Sequence, residues 1–513
     1  MLKRVILLSL CMHVLVLAMA QDKKAAARFF EMQHFEAALE EYALLVDKHP
    51  TDPLFNYRLG ICYLNTDIDK SKAIPYLEKV TSLSQYDPNA LYLLGRAYHY
   101  NYEFDKAIIA YSRFIELGAG NLNNLKDAGL QIEYCQNAKE LQKYPVNVSF
   151  ENLGPSINTV YSEYLPFVPV DESFLIFTSR RNEHALRKSN GELYADVYIA
   201  PSVNGKFTSA QPLSGLHDEN MEEAVVGLSN DGKVAIAYME IPGSESDLRF
   251  ALIGEKQVLR VIPLDPKINS KYTEISATLS ADSTAIYFSS DMPGGFGGMD
   301  LYICRMLPTG KWSVPQNLGP FVNTIRNEDF PSISPDGTTL YFSSDGHTSV
   351  GGYDIFKAEF NEEKQRFMSV RNLGMPINTP DDDMNLRMSE NGRHGYLSCL
   401  RPEGRGGLDI YRLVFLEEEP QYTVVKGAIK RSDNGQFPEG VFITVSRSST
   451  GELFGEYQAN QRSGKYVIIL PPGKYDLFAE AEGFEGWSTQ IEILGQDAFV
   501  FEKELDILMQ ANP

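Results

Sequence analysis

Past its first twenty residues the chain has no stretch approaching the ~18 consecutive apolar residues that a membrane helix needs. Its 513 residues include five cysteines and no Cys-x-x-Cys pair, which excludes the common zinc knuckles and a disulfide-built scaffold. Basic residues are the scarcer charge, 47 against 68 acidic, for a net charge of −21. Binding nucleic acid or anionic lipid by bulk electrostatics is therefore not expected. Gly-x-Ser-x-Gly, His-Glu-x-x-His and Walker-type sequences are missing, and the eight histidines show no ligand spacing. The residues suggest no catalytic mechanism, no metal and no cofactor, and the expectation is a protein that is not an enzyme.

Two acidic or glycine-rich features invite a site reading and fall short of one. The glycine loops Gly294-Gly295-Phe296-Gly297-Gly298, Gly351-Gly352 and Gly406-Gly407 each lead into Asp-apolar-aromatic, a strand start. A phosphate cradle would open a helix instead. The run Asp381-Asp382-Asp383-Met384-Asn385 lacks the later Gly and Glu of a calcium loop.

What is present begins with Lys3-Arg4, an apolar run from Val5 to Leu17 and Ala18-Met19-Ala20, the order of a secretory signal over 1–20. Cys11 would serve a lipoprotein signal, but Leu10 precedes it where a small residue is wanted. The expected mature protein starts at Gln21 and is exported, with no membrane span. Of the remaining cysteines, Cys62, Cys135, Cys304 and Cys399 read as buried free thiols, with Cys62–Cys135 the one pairing possible inside a single domain. The length suggests about three domains.

The first, 21–143, is helical and repeats itself. "DPLFNYRLGICYLN" aligns with "DPNALYLLGRAYHY", placing Pro53, Gly60 and Tyr63 35 residues before Pro88, Gly95 and Tyr98. Second helices match at Ala38-Leu39-x-x-Tyr42, Ala73-Ile74-x-x-Leu77 and Ala107-Ile108-x-x-Tyr111. This period and pattern resemble tetratricopeptide repeats, here three with a capping helix near Lys126–Leu141. Such arrays hold another protein in a concave groove, or merely prop up a neighbouring domain.

The second, 147–415, repeats at a longer period. Asp196-Val197-Tyr198, Asp247-Leu248-Arg249, Asp300-Leu301-Tyr302, Asp354-Ile355-Phe356 and Asp409-Ile410-Tyr411 are spaced by 51, 53, 54 and 55 residues. Turns recur in register at Asp171, Asp231-Gly232, Asp282, Asp336-Gly337 and Asn391-Gly392, each before a β run such as "TLYFSS". A third tag is Asn152-Leu153-Gly154-x-x-Ile157-Asn158, repeated at 317–323 and 372–378. Five such units predict a five-bladed β-propeller.

After the acidic linker Glu417-Glu418-Glu419-Pro420, strands broken by Gly-Lys-Tyr and Pro-Pro-Gly-Lys-Tyr predict a small all-β sandwich over 421–505. The fold class expected is thus multidomain α + β: a helical tetratricopeptide solenoid, a five-bladed propeller and a sandwich.

An acid precedes the turn position by eight residues in every unit: Glu163, Glu223, Glu274, Glu328 and Asp383. Each should enter an innermost strand, so together they could ring one mouth of the channel and bind a cation or a partner's basic tail. The alternative is a repeated structural duty, each acid accepting backbone N–H bonds from the adjoining blade.

With these blocks in order, the chain resembles the PorE-like periplasmic proteins of Bacteroidetes, associated with type IX secretion. These join tetratricopeptide repeats, a TolB-like or WD-repeat-like propeller and a carboxypeptidase-regulatory-like sandwich. The residues carrying the resemblance are the two Asn-Leu-Gly-x-x-Ile-Asn tags, "SISPDGTTLYFSS" and "GGYDIF". It implies a non-catalytic periplasmic role near the outer membrane, organising protein partners of a secretion or envelope complex. Members usually end in an OmpA-like domain, which would begin where this sequence stops, so peptidoglycan binding is not carried over. A ligand-sensing propeller for a glycan or peptide, relayed by the repeats, is the alternative.

Overall fold

A computed structural model describes residues 23–512 apart from 144, 219, 241–246, 255–256, 390–393, 417–422, 434, 436, 439, 460–463 and 495–501. The expected signal, the acidic linker and the turn at Asn391-Gly392 lie outside the described residues. Contacts divide the chain once, between Val414 and Phe415.

The first unit opens with helices α1 (23–31), α2 (Phe35–Lys48), α3 (Pro53–Leu64), α4 (Ile74–Thr81), α5 (Asn89–Tyr100), α6 (Phe104–Leu117) and α7 (Leu122–Leu141). The Asp-Pro pairs start α3 and α5. Asp52 accepts the amides of Leu54 and Phe55, and Asp87 accepts that of Asn89, satisfying donors that a helix start leaves free. Paired helices approach closely at the repeated glycines: a Cβ on Gly60 would lie 2.8 Å from Leu77, and one on Gly95 would lie 2.6 Å from the Tyr111 ring. Cys62 and Cys135 are buried free thiols in this array, as are Cys304 and Cys399 in the sheets.

Five antiparallel sheets follow, with first strands Glu163–Phe167, Glu223–Leu228, Glu274–Leu279, Glu328–Ile333 and Met384–Met388. The repeated aspartates open the third strands: Asp196–Val203, Asp247–Ile253, Asp300–Arg305, Asp354–Asn361 and Asp409–Phe415. The outermost strand of the fifth sheet is Val148–Asn152, which comes before the first sheet in the chain. First strands of consecutive sheets touch, and Met384–Met388 touches Glu163–Phe167. The central strands are buried on both faces, as in Phe174–Ser179 and Ala285–Ser290, which explains their unbroken apolar runs.

Helices and sheets share one core. Val350 and Met375, from the sheets, are buried in the same cluster as Leu94, Tyr98 and Phe104. The expected boundary at 143–147 is therefore not a gap in packing.

The second unit holds two sheets. One pairs Thr423–Arg431 with Lys465–Leu470, Glu502–Glu504 and Ile507–Met509; the other orders Leu453–Gln458, Phe442–Arg447, Gly473–Glu480 and Trp487–Ile493. Burial alternates along Gly473–Glu480, whose Tyr475, Leu477 and Ala479 join Val425, Ile468 and Ile507 in one core. Strand pairing runs to Met509, four residues beyond the predicted end at 505.

Candidate functional site at the junction of helical turns and first strands

The recurring motifs assemble one joint, repeated between sheets. The second asparagine of each tag exchanges two hydrogen bonds with the backbone of the preceding third strand: Asn323 with Leu301, Asn378 with Ile355 and Asn158 with Ile410. Asn269, which closes Pro263-Leu264-x-x-x-Ile268-Asn269, a looser form of the tag, does the same with Leu248. The first asparagine fixes the turn: Asn317 accepts the amide of Gly319 at 2.8 Å and donates to the Asp300 carboxylate at 2.7 Å. Asn152 with Asp409 and Asn372 with Asp354 repeat this.

The glycine loops are explained by the same aspartates. Asp300 accepts the amides of Phe296 and Gly297, Asp354 that of Val350, and Asp409 that of Arg405. The anion held by each loop is the protein's own carboxylate. A Cβ on Gly297, Gly351 or Gly406 would come within 2.0, 2.3 or 2.5 Å of backbone atoms in the next crossover, so the loops must stay bare.

The five repeated acids stand at the start of the first strands, each no more than 5% exposed. Four accept the amide and hydroxyl of the residue four positions earlier: Glu163 from Thr159, Glu274 from Ser270, Glu328 from Thr324 and Asp383 from Thr379. Glu223 accepts the amide of Asp218. The amides of four of them cross to the preceding sheet: Glu223 to Ala195, Glu328 to Met299, Asp383 to Tyr353, and Glu163 to Leu408 of the fifth sheet. Each acid thus sits on its own crossover, occupied by backbone and hydroxyl donors.

Burial sets their acidity. It pushes Glu223 and Glu328 up to about 7 and Asp383 up to about 8, with Asp196, Asp300 and Asp381 respectively adding to the rise. Glu163 and Glu274 are raised by burial as well, and for Glu163 the Arg181 guanidinium 3.1 Å away works against it.

The helical array meets this face of the sheets through its intra-repeat turns. His34, before α2, bonds the Ser189 carbonyl; Asp67, after α3, accepts from Ser162 at 3.1 Å; the Lys70 ammonium binds Asp381. His99, at the end of α5 and 3% exposed, bonds the Val350 carbonyl at 2.7 Å. From α7, Tyr134 donates to the Asp345 carbonyl and Asn137 to that of Ser349. The loop 345–353 of the fourth sheet therefore takes most of the α5–α7 contact.

Between the turns and the first strands lies a cavity of about 280 Å³ lined by Tyr164, Leu165, Phe330, Met384 and Asn385 together with Asp67, Lys70 and Asp381–Asp383. Of the five repeated acids, Asp383 lines it; Glu163, Glu223, Glu274 and Glu328 do not. Leu165, Phe330 and Asn385 have φ of 53°, 48° and 57°, left-handed values that cost side-chain-bearing residues energy. Each stands two residues after its repeated acid, where the first strand bulges out of register. Burial opposes the charge on Lys70, yet Asp381 and Tyr100 hold its ammonium above the ordinary range. Among the described residues no three His, Cys, Asp or Glu side chains are grouped to hold a metal.

Sequence reasoning located Asp381–Asp383 and missed Asp67, Lys70, Leu165, Phe330 and Asn385. The helical turns carried a usable signal: they recur at the repeat period, and Asp67 and Lys70 are polar where the neighbouring helix faces are apolar.

No protein-family description and no curated protein matches the chain. Among solved structures, TolB from Acinetobacter baumannii is 13% identical over 59% of this chain and 71% of its own, with a TM-score of 0.32. A glycoside hydrolase is 10% identical over 54% of this chain and 94% of its own, with a TM-score of 0.37. A putative 6-phosphogluconolactonase from Bacteroides uniformis is 15% identical over 47% and 82%, with a TM-score of 0.25. Resemblances this weak assign neither fold nor activity; the fold stands on the strand order and joints above.

Proposed function

We propose that the chain is a non-catalytic periplasmic scaffold near the outer membrane, holding protein partners of a secretion complex, type IX-like, or of another envelope assembly. In this reading the five sheets are the blades of a closed five-bladed propeller. The repeated joint, with Glu163 bonded to Leu408 and Val148–Asn152 completing the fifth sheet, supports closure. The observation that carries the function is the shared core: successive helical turns and the Val350–Met375 cluster fix the repeat array to the sheets. An array so fixed presents one partner at a set distance and orientation from another bound on the sheets. The sandwich adds a further docking module. The test is mild cross-linking of the tagged protein in cells followed by purification of the envelope fraction. Stoichiometric recovery of outer-membrane or secretion components is expected; recovery of the chain alone would refute the reading.

The cavity of about 280 Å³ favours a second reading, a propeller that senses a small glycan or peptide and relays it to the adjoining helices. A thermal-shift screen would support it by saturable stabilisation with one ligand class.

A further inference from the structure

Arg387 is the one basic residue on the five first strands, and it stands where the other four units carry an uncharged residue. Strand register aligns it with Phe167, Gly227, Thr278 and Ser332: each pairs with the equivalent residue of its second strand, respectively Tyr396, Ile176, Ile236, Tyr287 and Tyr341. Structural contacts of a repeat keep its symmetry, whereas this position breaks it in a single unit.

The side chain is 4% exposed and spans three sheets. From the fifth sheet its Nη1 reaches the Ser332 hydroxyl of the fourth at 3.4 Å. Its Nη2 donates to the Leu228 carbonyl at 3.1 Å and the Asn230 amide oxygen at 3.2 Å, both from the second. All three acceptors are neutral. No carboxylate among the described residues forms an ion pair with it, although the protein carries a large excess of acids. Burial alone pulls its acidity constant down to about 10, with no neighbouring charge opposing the shift.

A buried guanidinium without a counter-charge is costly, because three dipolar acceptors offset only part of the lost hydration. Its five N–H groups exceed the three bonds it makes. A second unpartnered group stands at the same register two sheets earlier, on the third: Thr278 is wholly buried and its hydroxyl bonds nothing. We propose that Arg387 anchors a site for a small monovalent anion, of chloride or carboxylate size, in the space enclosed by the first strands. There the anion would neutralise the guanidinium, and the Thr278 hydroxyl would be a further donor.

The test is a thermal-unfolding titration of the full chain with sodium chloride and, separately, sodium formate. Ionic strength is kept constant with a bulky organic sulfonate. The expected result is a saturable rise in Tm, about 3 °C at ten times the half-saturating concentration, absent in Arg387→Gln. Saturation by formate but not chloride would identify a carboxylate site; saturation by both, a general small-anion site. The proposal is overturned if the native chain shows no saturable rise with either anion, or if Arg387→Gln retains the rise. Should Arg387→Gln fail to fold, the native titration still decides the first point. Arg387→Lys, which keeps the charge but not the fork, should then weaken half-saturation at least tenfold.

Discussion

Asn158 and Ile410, 252 residues apart, exchange two hydrogen bonds of 2.9 Å, the amide of one imitating a neighbouring strand for the other. The pair ties the crossover into the first sheet to the third strand of the fifth. Asn158→Ala removes both bonds, leaving the buried Ile410 N–H unpaired and its carbonyl with only the 3.3 Å bond from the Leu153 amide. A loss of about 2–4 kcal/mol in urea unfolding is expected. Asn158→Asp, which keeps the acceptor and loses the donor, should also destabilise the chain. A change below about 0.5 kcal/mol for the alanine variant would show that the clip contributes little.

In the helical array, Gly95→Ala places a methyl group against the Tyr111 ring, where 2.6 Å is available. Tyr111 is fully buried and cannot swing away. Overpacking should cost about 1–3 kcal/mol, read as a lower thermal midpoint for the helical circular-dichroism signal. At Gly129, where nothing lies within 4 Å, the same substitution should be neutral or slightly stabilising.

Stability should fall as pH rises from about 5 to 8. Burial raises Glu223 and Glu328 to about 7 and Asp383 to about 8, above the ordinary carboxylate range of the unfolded chain. Between those values the native state holds protons that the unfolded state has released, so each pH step upward favours unfolding. Asp383→Asn keeps an acceptor for Thr379 without a titrating group and should flatten the part of the curve nearest pH 8. Urea midpoints at pH 5, 6.5 and 8 measure both effects; midpoints that rise with pH would contradict the assignment.

Val350→Asp puts a carboxylate into the core shared by helices and sheets, beside His99. The helical array should loosen while the sheets stay folded, and limited proteolysis should cut near residues 142–147 several times faster than in the native chain. Equal cleavage rates would mean that the shared cluster does not fix the array.

Much of this was legible in the sequence because it repeats. The Asn-Leu-Gly-x-x-Ile-Asn tags, the Asp-apolar-aromatic starts and the glycine loops all belong to one joint, and a joint needed at each boundary leaves a periodic trace. The exchanged strand Val148–Asn152 was legible in principle: the tags at 317 and 372 end outermost strands, so the tag at 152 marks one that can belong only to the last sheet. The carboxylates were found, but not their role, since a chain position cannot distinguish an acid facing a channel from one folded onto its own crossover. The helix-to-sheet contact was least legible. For α5 and α7 its polar partners on the sheet side are the carbonyls of Asp345, Ser349 and Val350, which leave no side-chain signature. Likewise the left-handed Leu165 and Phe330 are not residues that advertise such a backbone.

The scaffold account rests on a helical array held at a fixed distance from the sheets. Ile109, on α6, and Ile325, before the fourth first strand, are 68% and 84% exposed and suit spin labels after Ile109→Cys and Ile325→Cys. The four thiols among the described residues are buried and should not react. Pulsed electron–electron resonance between the two labels is predicted to give one narrow distance distribution, unchanged when purified partners are added. A broad or two-peaked distribution in the free protein would contradict the claim that helices and sheets form one rigid platform.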